Sequence, residues 1–152
     1  MCGIRETFPG LSSDNYQLTS EPTTKYNGLA WAIGEQEKDR WWSPDPFGSY
    51  YWPHPVLREE TLEAYTEVFQ LYGYSRCPGN DEGFESGFEK VAIYCTEGKV
   101  LHTARQLSDG KWTSKLGKGQ DISHKTLASL EGKSFGTVYR VLRRPKKSKN
   151  LL

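Results

Sequence analysis

Apolar and β-branched residues recur in three short runs in the second half of the chain, Val91 to Cys95, Lys99 to Leu107 and Lys111 to Leu116. Glu97-Gly98 and Ser108-Asp109-Gly110 separate them, and such glycine-bearing breaks are hairpin signals. The pattern predicts an antiparallel meander. Upstream, Leu62, Tyr65, Phe69 and Tyr72 recur at three- and four-residue intervals, which predicts a helix from Glu59 to Tyr72 with one apolar stripe. Glu59 and Glu60 would fall in its first turn, where the helix dipole favours acid, and Gly73 would close it. Weaker patterns predict a strand at Tyr16 to Thr19, a short helix at Tyr26 to Ile33 ended by Gly34, and a second short helix at Asp121 to Leu130 capped by Asp121 or Ser123. Phe135 to Leu142 alternates and reads as a final strand. Tyr74 to Phe88, punctuated by Pro78, Gly79, Gly83 and Gly87, reads as loop with one edge strand. Helices early and antiparallel strands late predict an α+β fold.

Between the first two helices, residues 41 to 55 interleave six aromatics with four prolines, which excludes a helix or a central strand. The segment reads as an ordered loop. Its tryptophans either anchor it to the core or wall a cleft.

At 152 residues the chain fits one domain, with an extended lead-in over 1–22 and a basic tail over 143–152. A mean hydropathy of -0.72 is low, but 13% aromatic residues supply large buried areas from few positions. Twenty basic and nineteen acidic residues leave a net charge of +1, so no long-range field argues for nucleic acid or an anionic membrane. No secretory n-region and h-region opens the sequence, and no run reaches the ~18 apolar residues of a membrane span. The expectation is a protein that stays in the cytoplasm unless a dedicated system exports it. Cys2, Cys77 and Cys95 lack framework or metal spacing and read as reduced thiols. His54, His102 and His124 contain no close-spaced pair, so no metal site is expected, and no cofactor motif is found.

The candidate chemistry gathers at a glycine. Gly28 stands at the start of the first predicted helix, where a cysteine would have its pKa lowered by the dipole and by free backbone amides, and His102 lies on a predicted inner strand where a base could stand. Asn27 is positioned to cap that helix. Alternation puts Trp112 and Ser114 on one strand face, so Ser114 is a candidate partner for His102, with His124 beside Asp121 as an orienting or replacement base. Trp31, Trp41, Trp42, Trp112 and Lys115 are candidate cleft residues.

The phrases Tyr26-Asn27-x-Leu29-Ala30-Trp31-Ala32, Gly87-Phe88-Glu89-Lys90-Val91-Ala92-Ile93-Tyr94, His102-Thr103-Ala104-Arg105-Gln106 and Trp112-Thr113-Ser114-Lys115-Leu116-Gly117 resemble an uncharacterised bacterial family of domains of unknown function. The likeness runs from about Phe8 to Pro145. In that family the position of Gly28 is usually cysteine. More distantly, the strand pair around Val91 and His102 looks like that of papain-like peptidases of the NlpC type, although Lys90 stands where those enzymes place their catalytic histidine.

The resemblance implies a papain-like fold, with N-terminal helices packed on a mainly antiparallel sheet. It also implies a thiol amidase or peptidase, of effector or toxin type, acting on a peptide or amide-containing substrate or protein target. In this reading His102 is the base, and the glycine at 28, a natural loss or an engineered replacement, leaves the protein inactive. The alternative is a non-catalytic binding module with an aromatic-lined cleft. A more remote one is an N-terminal-nucleophile amidotransferase using Cys2.

Overall fold

The computed structural model describes residues 7–12, 15–19, 28–33, 42–116 and 121–146. Its body is a seven-stranded antiparallel sheet. In chain order the strands are β1 (Tyr16–Leu18), β2 (Ser75–Arg76), β3 (Phe88–Thr96), β4 (Lys99–Gln106), β5 (Trp112–Lys115), β6 (Asp121–His124) and β7 (Thr137–Pro145). Two α-helices are described, α1 (Gly28–Ile33) and α2 (Leu62–Leu71). Across the sheet the order is β1-β6-β5-β4-β3-β7-β2. The chain thus lays down β3 to β6 as a meander and then returns to pair β7 against the free side of β3. Both edges are very short strands of three and two residues, a common defence against edge-to-edge pairing.

The papain-like α+β arrangement expected from the sequence is not what forms. The protein is mostly sheet: α1 has six residues, and Asp121 to Leu130 contains no α-helix. Asp121–His124 is instead strand β6, paired with β5 and β1, and Ala128–Leu130 is a single 3-10 turn. The physical reason is tertiary. Ile122 is fully buried in the core, and cross-strand pairing on both sides satisfies backbone groups that a ten-residue isolated helix would leave marginal.

Other elements follow their local chemistry. Helix α2 begins later than the acidic pair suggested, because Thr61 is its cap: its Oγ1 accepts from the amide of Ala64 at 3.2 Å, and the Glu60 carbonyl accepts from the amide of Val100. Gly73 follows it with φ +93. Strand β7 runs on to Pro145, so the basic segment starts inside the sheet. There Arg143 pairs with Glu85 and Arg144 with Glu89, and the two guanidiniums lie over the rings of Phe88 and Tyr74.

Apolar clusters cover both faces of the sheet. On one face Leu29, Ala32 and Ile33 of α1 and Val68 and Phe69 of α2 pack with Val91 and Ile93 of β3. On the other, Phe8, Leu127 and Leu130 pack with Ala92, Tyr94, Trp112 and Ile122. Burial on both sides explains why β3 reads as an unbroken apolar run rather than an alternating one.

Gly136 marks where β7 meets an irregularity in β3. Its φ is +76, and a Cβ there would collide with the carbonyl of Cys95 and the hydroxyl of Thr96. Gly136→Ala is expected to destabilise the fold by about 3 kcal/mol, combining left-handed strain with a backbone clash. Chemical denaturation measures this, and a change below about 1 kcal/mol would contradict the tight approach.

Candidate functional site

The hairpin formed by β5 and β6 carries two chemically different faces. Register pairs Trp112 with His124, Thr113 with Ser123, Ser114 with Ile122 and Lys115 with Asp121. Lys111 and Lys125 flank these pairs, each one residue beyond its strand. Residues 111, 113 and 115, with 121, 123 and 125, therefore share one face, and every one is polar. Arg105 of β4 pairs with both Val91 and Thr113, so this is the face that α1 covers. Beneath α1, Lys115 is fully buried, as are Asp121 and Thr113 to within 2%. Burial pushes the Lys115 ammonium pKa down, and the Asp121 carboxylate opposite works against that shift. Thr113 donates its hydroxyl to the Ile122 carbonyl at 3.1 Å.

The opposite face holds both candidate histidines. Tyr94 pairs with His102 in register, and the His102 ring stacks on Phe135 with centroids 3.9 Å apart. Its Nε2 is buried with no hydrogen-bond partner, and burial lowers its pKa to about 3, helped by the nearby His124. His124 is fully buried too. Its Nδ1 lies 2.9 Å from the Thr126 carbonyl, which can only accept, so Nδ1 carries the proton and Nε2 accepts from the Ser114 hydroxyl at 2.8 Å. Burial holds His124 down to about 4, partly offset by the bond to Thr126.

The structure therefore brings Ser114 and His124 together, but on the wrong face for chemistry at position 28. His102 shares that face and is not bonded to Ser114. Strand alternation makes this unavoidable: Lys115, Thr113 and Arg105 look toward α1, and their neighbours Ser114, Trp112 and Ala104 look away. Nor do the tryptophans line one cleft. Trp42 is core on the face of α1, with its ring edge-on to Tyr51 at 4.6 Å, whereas Trp112 is core on the other face. Asn27, Trp41, Cys2 and the side chain of Trp31 lie outside the described residues. Gly28 is the first described residue of α1.

Lys90 is a structural cation. Fully buried, it donates to the carbonyls of Asp81 and Gly83 at 2.8 Å each and pairs with Glu85 at 3.2 Å. The described cysteines offer no activated thiol: Cys77 and Cys95 are buried and free, and burial raises Cys95 to about 11. Among the described residues no group of three His, Cys, Asp or Glu side chains could hold a metal.

Sequence reasoning missed Lys111, Ser123, Lys125 and Gln17, which line a concavity of about 210 Å3 where β1, β6 and β5 meet. The signal was present, since Lys111-Trp112-Thr113-Ser114-Lys115 and Asp121-Ile122-Ser123-His124-Lys125 both place polar residues at every second position. Reading Asp121 to Leu130 as helix concealed it.

A family model described as a domain of unknown function, DUF7689, matches residues 17–143. The chain belongs to that family. The match gives no activity and speaks neither for bacterial origin nor for kinship with papain-like peptidases. Neither a search of curated proteins nor one of solved structures finds a match. For this DUF7689 domain, no helix among the described residues is long and apolar enough to cross a membrane.

Proposed function

We propose that this domain is a non-catalytic binding module whose ligand surface is the exposed outer end of the polar β5–β6 hairpin face, where Lys111 and Lys125 stand. One observation carries the reading. Two successive cross-strand pairs, Thr113 with Ser123 and Lys115 with Asp121, are polar and buried on the face that α1 covers, and they lead out to the exposed Lys111 and Lys125. Burying such groups is costly, and a local departure from the apolar rule is where a site is expected.

Catalysis is poorly supported. Position 28 has no nucleophile, and His102 and His124 are buried on the other side of the sheet, both held neutral. The ligand surface is polar, not the aromatic cleft that the tryptophans suggested, because Trp42 and Trp112 are core residues.

Placing a thiol at position 28 tests this. Gly28→Cys is expected to give no hydrolysis of peptide or p-nitroanilide amides above the buffer rate, since no imidazole on that face is described to activate the thiol. Turnover that is abolished by alkylating the new cysteine would overturn the module in favour of a silenced thiol hydrolase.

A further inference from the structure

We propose that the concavity at the outer end of this hairpin face binds a doubly charged oxyanion of the phosphate-monoester class between Lys111 and Lys125. The inference rests on the hairpin face being a ligand surface, and it adds what the ligand is.

The first support is an unfavourable pairing. Lys111 and Lys125, each one residue beyond its strand, line the same concavity, and like charges held side by side repel. Among the described residues little neutralises them. The Lys111 ammonium reaches Asp109 only at 4.0 Å in an exposed pair, and no ion pair of Lys125 is found among the described residues. Asp121, the acid on the same strand face, lies two cross-strand rows away and faces Lys115.

The second support is shape. The two lysines stand at a concavity of about 210 Å3, with Ser123 and Gln17, themselves a register pair, in the same lining. Ser123 is 8% exposed, so its hydroxyl belongs to the floor rather than the rim. Asn15 fixes the wall: its side chain accepts from the Ser12 amide at 2.8 Å and donates to the Gly10 carbonyl at 2.9 Å, while its carbonyl accepts from the Lys125 amide. The lining thus contains ammonium, hydroxyl and carboxamide side chains, all able to donate, and two cations match two negative charges. A carboxylate would satisfy only one of them. Lysine suits a phosphate as a point charge that needs no bidentate geometry.

Titration of the whole chain with inorganic phosphate and with phenyl phosphate, followed by amide chemical shifts at neutral pH, tests the proposal. Saturable shifts are expected at residues 15–17, 111 and 123–125, weakening as salt rises to about 0.15 M. The Lys111→Gln/Lys125→Gln double variant is expected to bind roughly tenfold or more weakly, with an unchanged or higher Tm because two like charges no longer line one concavity. Acetate is expected to bind more weakly than either phosphate. Absence of saturable shifts, undiminished binding by the double variant, or equal affinity for acetate would each overturn the proposal. None of these bears on the module reading, which stands or falls with Gly28→Cys.

Discussion

Acidification from pH 6.5 to about 4.5 is expected to remove on the order of 5 kcal/mol of folding stability, about a third or more of what a domain of this size holds. The cause is the buried pair His102 and His124. An unfolded histidine takes up a proton near pH 6.5, whereas the folded protein holds these two down to about 3 and about 4. Below pH 6.5 the unfolded chain therefore binds protons that the native state refuses. The stabilisation is full above that value and falls away toward the folded pKa values, at about 1.4 kcal/mol per histidine per pH unit. Guanidinium denaturation at a series of pH values measures the slope, and His102→Leu should roughly halve it. An unaltered slope in that variant would show that other groups drive acid unfolding. The same physics argues against either imidazole as a general base in this state, since a proton acceptor with a pKa near 3 or 4 is weak at neutral pH.

Replacing Lys90 is expected to cost about 3–5 kcal/mol, the usual range for deleting a buried, fully engaged charge. Its ammonium bonds the carbonyls of Asp81 and Gly83 and pairs with Glu85, and it thereby pins residues 81–85 against β3. Lys90→Ala removes those bonds and leaves a cavity, and Glu85 keeps only Arg143 as its cationic partner. Lys90→Arg should not restore stability, because a planar guanidinium cannot occupy the site of a compact ammonium. The exposed Lys99, paired with Glu60 at 3.3 Å, supplies the contrast: Lys99→Ala should change stability by less than about 1 kcal/mol. Denaturant unfolding compares the three, and amide exchange in residues 81–85 reports whether the loop opens. A loss at position 90 no larger than at 99 would show that the loop stands without its cation.

Much of the fold was legible along the chain. The turns at Glu97-Gly98 and Ser108-Asp109-Gly110 lie where β3, β4 and β5 are joined, and the apolar stripe of Leu62, Tyr65 and Phe69 forms α2. Residues 42–55 are a loop anchored by the buried Trp42 and Trp52, as proline content and aromatic bulk together imply. Less of the site could be read. Ser114 reads in the sequence as a partner for His102, whereas it hydrogen-bonds His124, and the burial of all three is invisible in the sequence. The polar hairpin face stayed hidden because Asp121 to His124 carries a helix-like cap residue and no turn breaker, and only its neighbours β5 and β1 make it a strand.

The sequence by itself determined the strand periodicity, the hairpin breaks and the absence of a nucleophile at Gly28, because these depend on side-chain type and spacing within one element. Only the tertiary structure decided which face of the sheet α1 covers. Alternation fixes that His102 and Arg105 point to opposite sides, but it cannot say which side receives the helix. That choice was made by the cluster of Leu29, Ile33, Val91 and Ile93, whose shared burial places α1 over Thr113 and Lys115 and leaves both histidines behind the sheet.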